Sequence, residues 1–391
     1  MRSLLACLTI TALLQCVRNA VAQDLPYESV ELRMWELTAN DNSSSAGAVQ
    51  TPSTVFGGLV DFGTIPDDPF YGLNLQKVSP KSFEVSWTYK TSVDLLPRKN
   101  FTAAFLEIQG INYRAKAYVN GKLLKPWKSE SPELVGTYRH FRLPIPNELL
   151  QAQVLYINIE VTKPVDDWSP PGNNSTDLAI SFLDWNPPPP DASMGILRPV
   201  HLLLYASPND DKSASLPIVR AENLLVNSAV DVEKKQANVS IGVDLTDVSP
   251  SAVNASASSA FVVVECAVTG NGGFYTSALV TAIAYGTAIV GPITIEGDDL
   301  ELWWPWHMLP TDKELPTLYN VSCNVSDGSG RGDGQGALLD VVAGQFGIRE
   351  VTSKLDSNGY LSMQVNGADM LVLGGGYTTR LDSKVCAHSS A

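Results

Sequence analysis

The chain has 391 residues, with 27 Lys and Arg against 41 Asp and Glu, which gives a formal net charge of -14. A chain of this length is expected to form about two or three domains. The acidic balance argues against nucleic acid and against anionic membrane surfaces as partners, because both would repel the chain.

The first 22 residues predict a secretory signal peptide. Arg2 supplies a positive start, residues 4–14 form an apolar stretch, and Ala-Val-Ala at 20–22 is a small-residue cleavage pattern. The apolar stretch is too short to span a bilayer, which favours cleavage over a retained membrane anchor. We therefore expect a mature chain that begins near Gln23, is secreted to the extracellular space, and has no membrane partner after cleavage.

Eight Asn-x-Ser/Thr triplets agree with a secreted chain, because this triplet is the acceptor for N-linked glycans. Single triplets occur by chance, but this number in a chain with a signal peptide favours glycosylation. The predicted glycosylation sites are Asn42, Asn100, Asn173, Asn174, Asn238, Asn254, Asn320 and Asn324.

Period-two patterns follow the signal peptide and predict an all-β domain over residues 23–206. Apolar residues alternate with polar ones at 83–89 and at 155–161, as in strands with one buried face. Residues 113–119 show the same pattern, and the Asn120-Gly121 that follows favours a tight hairpin turn, because both residues tolerate positive φ. An apolar strand at 200–205 ends the domain.

A loop of unusual composition precedes that last strand. Residues 187–190 are four prolines, which cannot form helix or donate to a sheet, so the segment around them must be a stiff loop. It carries Asp184, Trp185 and Asp191, and a rigid aromatic-acidic loop on a β scaffold is a common way to present a binding edge to a sugar. We predict these three as substrate-binding residues, with a local hydrogen bond to the loop backbone as the alternative for Asp184.

A polar, turn-forming stretch at 208–213 introduces a second β-rich domain, predicted over residues 207–347. Its strand patterns have the spacing of an immunoglobulin-like sandwich. Asn320 and Asn324 can carry glycans only if they face water, and strand alternation then turns Cys323 inward, while Cys266 shares the apolar phase of its own strand. Two alternatives stay open for these cysteines: a disulfide across the sandwich, or two buried free thiols. The predicted strands lie at 239–245, 262–268, 282–295 and 319–325.

The segment after residue 347 predicts short strands at 363–365 and 370–373 that lead to three glycines at 374–376. The chain shows no metal-ligand spacing, no hydrolase triad motif and no nucleotide motif. We therefore expect no metal site, no cofactor and no catalytic residue. None of the four histidines stands at metal-ligand spacing; they are His140, His201, His307 and His388.

Several motifs in a fixed order resemble the N-terminal half of glycoside hydrolase family 2, which includes β-galactosidases, β-glucuronidases, β-mannosidases and exo-β-D-glucosaminidases. The resemblance covers nearly all of the chain after the signal peptide. The Asp-Trp element is most similar to that of the exo-β-D-glucosaminidases, with the β-mannosidases next. The motifs are Gly-Ile-Asn-Tyr-Arg-Ala at 110–115, Asp-Trp-Asn-Pro at 184–187, Pro-Asp at 190–191, Met-Gly-Ile at 194–196, Leu-Trp-Trp-Pro at 302–305, Phe-Gly-Ile-Arg at 346–349 and Val-Asn-Gly at 365–367.

The resemblance implies a jelly-roll, galactose-binding-like β-sandwich, then an immunoglobulin-like β-sandwich, and then a (β/α)8 barrel of which residues 348–391 would be only the start. In this family a loop of the first domain reaches over the barrel mouth. Asp184 would then line the pocket for the terminal sugar, and Trp185 would form a wall of it. A carboxylate at this place suits the ammonium group of glucosamine.

The implied activity is the hydrolysis of O-glycosyl bonds in chitosan oligosaccharides by a retaining mechanism that uses two carboxylates. The resemblance places both carboxylates in late barrel strands, so we expect this chain to be non-catalytic by itself. The alternatives are a β-mannosidase-type protein that acts on a mannoside oligomer, or a carbohydrate-binding module without catalysis. In each case the expected partner is a carbohydrate.

Overall fold

The structure is a computed structural model that describes residues 25, 27–65, 68–69, 71–95, 101–164, 189–206, 217–249, 260–270, 273–276, 280–328 and 336–375. These residues form two units, at 27–206 and 217–375. The predicted all-β class is confirmed, since the described residues contain 25 strands and a single α-helix, α1 (Val55–Phe62). Short 3₁₀ helices lie at Asn74–Lys77, Pro80–Phe83, Asn147–Gln151, Gly297–Asp299 and Trp306–Met308.

The first unit is a sandwich of two main sheets with a small third sheet. Its strands are β1 (Tyr27–Glu31), β2 (Met34–Ala39), β3 (Ser45–Gln50), β4 (Ser53–Thr54), β5 (Trp87–Asp94), β6 (Phe101–Ile108), β7 (Ile111–Asn112), β8 (Arg114–Val119), β9 (Lys122–Leu123), β10 (Leu134–Val135), β11 (Phe141–Ile145), β12 (Val154–Thr162), β13 (Gly195–Ile196) and β14 (Val200–Ala206). One sheet has the order β1-β14-β6-β11, and the other has the order β10-β8-β12-β5-β2-β3 with β9 paired to β8. The small sheet, β4-β13-β7, holds β13 between two other short strands.

The two main sheets share one apolar core. Along β12, Leu155, Ile157 and Ile159 point inward and are fully buried, as the period-two pattern predicts. They belong to the same apolar cluster as Leu106 and Leu202, which lie on the opposite sheet. Burial of this cluster is the main stabilising contribution to the unit, because each buried aliphatic side chain contributes about 1.5–3 kcal/mol.

Two local predictions in this unit have different outcomes. The strand predicted at 83–89 begins only at Trp87, and Phe83 instead ends a 3₁₀ helix. Phe83 is nevertheless buried, with its ring centroid 6.1 Å from that of Trp87, so the alternation at 83–86 reflects a buried turn. The hairpin turn at Asn120-Gly121 is confirmed, since the two residues have φ values of 47° and 79° between paired β8 and β9.

The second unit contains an immunoglobulin-like sandwich. Its strands are β15 (Val219–Asp231), β16 (Gln236–Asp247), β17 (Phe261–Gly270), β18 (Gly273–Thr276), β19 (Val280–Ile283), β20 (Tyr285–Glu296), β21 (Tyr319–Asp327) and β22 (Leu338–Phe346). One sheet has the order β15-β16-β20 and the other β18-β17-β21-β22, with β19 also paired to β17. The single strand predicted at 282–295 is in fact two, because the chain crosses at Ala284 from the β17 sheet to the β16 sheet.

Cys266 and Cys323 form a disulfide, but its place differs from the predicted one. The two residues are direct partners on β17 and β21, which are neighbouring strands of one sheet, so the bond does not cross the sandwich. Both side chains are fully buried, in agreement with the alternation. Strand alternation determines the face to which a side chain points, but it does not determine which strand lies beside it. For this reason the predicted bond across the sandwich was wrong.

Residues 351–370 form a three-stranded meander of β23 (Val351–Leu355), β24 (Leu361–Val365) and β25 (Ala368–Met370). All its pairings are antiparallel, whereas the strands of a (β/α)8 barrel are parallel, so the meander itself is not barrel sheet. Of the strand expected at 370–373, only Met370 lies in a strand, the last residue of β25; the described residues 371–375 are not in a strand. A barrel start within 348–391 stays a prediction, and residues 376–391 lie outside the described part of the chain.

Candidate functional site

Two of the three predicted substrate-binding residues, Asp184 and Trp185, lie outside the described residues. The described chain resumes at Pro189 and contains the third, Asp191. The candidate site is therefore built from Asp191 and from the segment 189–196 around it. We call this segment the loop anchor.

Asp191 is the polar centre of the loop anchor and has 0% of its surface exposed. Its Oδ2 accepts a hydrogen bond from the N–H of Phe56 at 2.8 Å, and its Oδ1 accepts one from the N–H of Ser193 at 2.9 Å. Phe56 lies in the first turn of α1, where backbone N–H groups lack intrahelical partners and favour a negative charge. The carboxylate therefore ties the loop anchor to the start of this helix.

The start of α1 is defined by its own cap and by the loop anchor together. Thr54 is the N-cap, and its side-chain oxygen accepts a hydrogen bond from the N–H of Gly57 at 3.0 Å. The N–H of Val55, the first residue of α1, has no partner within the helix and donates to the carbonyl oxygen of Met194 at 2.8 Å. The helix and the loop anchor thus satisfy each other's backbone groups.

Burial raises the pKa of Asp191 to about 6 from its ordinary value of 3.8, although the hydrogen bonds from Phe56 and Ser193 act in the opposite direction. Burial also raises the pKa of Tyr89, and the negative charge of Asp191 adds to this effect. The Tyr89 hydroxyl is buried and donates to the carbonyl oxygen of Ser53 at 3.2 Å. At neutral pH the loop anchor therefore contains a buried carboxylate that is held by backbone N–H groups.

Asn112 binds the loop anchor from another strand. Its Nδ2 donates to the carbonyl oxygens of Ala192 at 3.1 Å and Ser193 at 2.9 Å, and its Oδ1 accepts from the hydroxyl of Thr137 at 3.0 Å. Ala192 and Ser193 have φ values of 49° and 59°, a left-handed conformation that is unfavourable for residues with a side chain. The hydrogen bonds from Asn112 stabilise this conformation.

Strand β13 completes the loop anchor. Gly195 pairs with Thr54 on one side and with Asn112 on the other. A Cβ atom on Gly195 would lie 2.6 Å from the carbonyl oxygen of Ser53, so only glycine permits this close approach of the strands. Met194 and Ile196 are fully buried on either side of it. The loop anchor is thus fixed by backbone pairing as well as by side chains.

Sequence reasoning missed three residues of this site. Asn112 stands in the Gly-Ile-Asn-Tyr-Arg-Ala motif, and that motif could have indicated a role beyond strand formation. Thr54 precedes an apolar run at 55–60, which is typical of a helix N-cap and could have predicted α1. Thr137 carries no sequence signal of its own, because its role depends on a hydrogen bond to a residue 25 positions away.

The surroundings of Asp191 favour a positioning role for this residue. Both of its oxygens accept hydrogen bonds from protein N–H groups, and the side chain has no exposed surface. Trp185 precedes Pro189 by four positions in the sequence and lies outside the described residues. Direct contact of Asp191 with substrate stays an untested prediction, as do the contacts of Asp184 and Trp185.

Among the described residues, no group of three or more His, Cys, Asp or Glu side chains is placed to hold a metal ion. Within the same ranges, no helix has the length and apolar character needed to cross a membrane. The absence of a metal and of a cofactor stays a prediction for the chain as a whole.

Four of the eight predicted glycosylation sites fall on described residues. Asn42, Asn238 and Asn324 are exposed. Asn320 is half-buried, and its Oδ1 accepts a hydrogen bond from Nε2 of Gln345 at 2.8 Å. Glycosylation itself stays a prediction. The sites outside the described residues are Asn100, Asn173, Asn174 and Asn254.

Comparison with protein families identifies the first unit. Residues 35–198 match the family model described as glycosyl hydrolase 2 galactose-binding domain-like. The chain carries the N-terminal domain of glycosyl hydrolase family 2. The matched range includes α1, Asn112 and the loop anchor, so the geometry described above belongs to this domain. The family resemblance inferred from the motifs is thereby confirmed.

Curated relatives of the chain include three exo-β-D-glucosaminidases. The one from Amycolatopsis orientalis is 27% identical over 335 residues, which is 85% of this chain and 28% of the relative. Those from Streptomyces avermitilis and Hypocrea jecorina are 27% and 26% identical over 83% and 86% of this chain, and over 31% and 33% of their own lengths. The chain therefore spans about a third of the length of these relatives.

Solved structures of glycosidases share the fold. The crystal structure of an exo-chitosanase from Amycolatopsis orientalis matches 91% of this chain and 38% of its own, with a TM-score of 0.66 and 22% identity. A β-D-mannosidase from Dictyoglomus thermophilum matches 88% of this chain and 39% of its own, with a TM-score of 0.61 and 18% identity. At these identities the likeness establishes the fold and leaves the substrate open.

Proposed function

We propose that this chain is the N-terminal, sugar-contacting part of a secreted glycosidase of the exo-β-D-glucosaminidase type, which hydrolyses O-glycosyl bonds in chitosan oligosaccharides. The observation that carries this proposal is the 27% identity to an exo-β-D-glucosaminidase over 85% of the chain. A variant of the related exo-chitosanase has been solved in complex with PNP-β-D-glucosamine, so that relative binds an amino sugar. The signal-peptide pattern and the Asn-x-Ser/Thr triplets support secretion.

Asp184 and Trp185 are the groups through which the chain contacts the sugar in this proposal. The protonated amino group of glucosamine forms a charge-assisted hydrogen bond with a carboxylate. An indole ring offers an apolar face on which a sugar ring can stack. The loop anchor supports the proposal, because it fixes the chain four positions after Trp185.

We also propose that these 391 residues do not hydrolyse glycosides by themselves. A retaining glycosidase needs two carboxylates about 5–5.5 Å apart, and the resemblance places both in the barrel. The purified chain should therefore leave an aryl β-glucosaminide unchanged. Turnover of that substrate, or of an aryl β-mannoside, above a mock-purified control would refute this part of the proposal.

Isothermal titration calorimetry with glucosamine oligomers and with mannose oligomers tests the sugar assignment. The chain should prefer the glucosamine oligomer, and Asp184→Ala should abolish that preference because the ammonium group loses its partner. Asp61→Ala is a matched control, since it removes one exposed carboxylate from α1 in the same domain and changes the net charge equally. An equal effect of both substitutions, or no binding of any sugar, would contradict the proposal.

The two alternatives give different results in the same titration. A β-mannosidase-type protein predicts a preference for mannose oligomers. A carbohydrate-binding module without catalysis predicts tight binding by this chain alone. If the chain instead forms only one side of the sugar pocket of a larger glycosidase, its binding alone should be weak. The sugar preference and the affinity together therefore separate the three functions.

A further inference from the structure

Three motifs that are distant in the sequence meet at one place in the second unit. The sugar-binding and glycosylation proposals leave all three without a role. Their contacting members are Trp303, Gly347, Arg349 and Asn366, and we call these four residues the clasp. The motifs are Leu-Trp-Trp-Pro at 302–305, Phe-Gly-Ile-Arg at 346–349 and Val-Asn-Gly at 365–367.

Asn366 forms the centre of the clasp. It stands with Gly367 at the turn between β24 and β25, where the two residues have φ values of 51° and 77°. Its Oδ1 accepts a hydrogen bond from the N–H of Glu350 at 3.0 Å, and its own N–H donates to the carbonyl oxygen of Glu350 at 2.9 Å. Its Nδ2 donates to the carbonyl oxygen of Trp303 at 2.9 Å. Turn residues are normally exposed, but Asn366 is only 7% exposed.

Trp303 joins the other two members. A Cβ atom on Gly347 would lie 2.6 Å from Cγ of Trp303, so the indole ring packs directly against a backbone that must be glycine. The guanidinium carbon of Arg349 lies 4.7 Å from the indole centroid, within the range of a cation–π contact. The N–H of Trp303 donates to the carbonyl oxygen of Ile348 at 2.8 Å. The sandwich and the chain that leaves it are thus joined by packing and by hydrogen bonds.

The clasp is continuous with the core of the sandwich, whereas the far end of the meander is exposed. Ile348 is fully buried in the apolar cluster of the sandwich, and Val365, just before Asn366, is 2% exposed. At the opposite end, Leu355 and Leu361 are 70% and 68% exposed. A small antiparallel meander with so little buried surface is only marginally stable by itself. Its order must therefore come from the end that the clasp holds.

We propose that the clasp makes the meander at 351–370 an integral part of the sandwich domain, with Asn366 as the positioning residue. The meander then folds together with the sandwich and needs no sequence beyond residue 370 to hold its place. This moves the end of the second domain from the predicted residue 347 to residue 370. The clasp thereby also fixes the direction in which the chain leaves the domain.

Hydrogen–deuterium exchange of the full chain tests the proposal with two matched substitutions. The meander has two Asn-Gly turns, and Asn358→Gly changes the one whose side chain is exposed, while Asn366→Gly changes the clasp. Loss of the two Asn366 side-chain hydrogen bonds should speed exchange in peptides of β23 and β24 by roughly tenfold for each bond. Asn358→Gly should leave these rates unchanged, and the peptide of β21 reports the stability of the sandwich.

Asn366→Asp provides a graded test if the glycine variant loses its fold. Aspartate keeps the acceptor for the N–H of Glu350, but its second carboxylate oxygen replaces the donor to Trp303 and meets the carbonyl oxygen there. The rates should therefore rise by at least the roughly tenfold expected for one lost hydrogen bond. The proposal is overturned if both glycine variants have the same effect. It is also overturned if the parent meander already exchanges at the rate of an unstructured peptide while β21 stays protected.

Discussion

Replacement of Asp191 by Asn should remove a pH-dependent part of the stability of the first domain. Burial raises the pKa of Asp191 to about 6 in the folded chain, whereas the ordinary value of 3.8 returns on unfolding. Between these two values the folded state binds the proton more tightly than the unfolded state does. The free energy of unfolding therefore falls as the pH rises through this window, and the contribution is fully present only below the lower value.

The magnitude follows from the two pKa values. Their difference of about 2 corresponds to about 3 kcal/mol, which should be lost between about pH 4 and pH 7. The Asn variant has no group that ionises at this place, so it should not show this loss. Its amide oxygen can replace one acceptor, but its NH₂ group meets a donor, which adds a pH-independent cost of about 1–3 kcal/mol.

Urea unfolding of the full chain from about pH 4 to pH 7 measures this effect, with hydrogen exchange used to assign the transition of residues 27–206. Subtracting the unfolding free energy of the variant from that of the parent cancels the contributions of groups that titrate alike in both proteins. The difference in unfolding free energy should decrease by about 3 kcal/mol over the range. A difference that stays constant, or that grows with pH, would refute the reasoning, because growth would mean that the Phe56 and Ser193 hydrogen bonds outweigh burial.

The disulfide and the glycans give two further predictions. Replacement of Cys266 and Cys323 by Ala together should lower the unfolding free energy of the second domain by about 4 kcal/mol, because the bond spans a sequence separation of 57. Urea unfolding measures this loss, and one well below about 1 kcal/mol would contradict the loop-entropy argument. In a secreting eukaryotic host the chain should begin near Gln23 and carry glycans on the three exposed described sites more fully than on Asn320, which Gln345 engages. Peptide mass spectrometry measures the occupancies, and a reversed order would contradict the structural argument.

Strand alternation predicted best those elements that have one buried and one exposed face. β12 and β21 lie where the pattern placed them, and the inward phase of Cys323 is confirmed. The pattern was wrong at residues 83–86, where Phe83 is buried in a 3₁₀ turn against Phe56 rather than in a strand. It was also wrong at Ala284, where the chain changes sheets. Neither a turn covered by a distant ring nor a change of sheet leaves a local sequence signal.

The candidate site could be predicted only in part, because its hydrogen bonds join distant residues. The charge of Asp191 and its stiff loop indicate a functional residue, but its burial depends on α1, which strand alternation does not predict. Asn112 binds Ser193 across a sequence separation of 81, and no local pattern connects them. The clasp shows the same limit: Val365 is buried beside Asn366, which binds two segments that are distant in the sequence.

The two carboxylates of the candidate loop must act differently on a charged sugar. Both oxygens of Asp191 accept backbone hydrogen bonds in a buried site, so an ammonium group can reach neither of them. If this loop selects glucosamine by charge, its remaining carboxylate for that contact is Asp184. Asp191→Asn should then weaken the binding of glucosamine oligomers and of mannose oligomers equally, since it loosens the loop anchor. Asp184→Ala should weaken only the binding of the glucosamine oligomer. This contrast separates a charge-selective contact from a loop that any substitution would disturb.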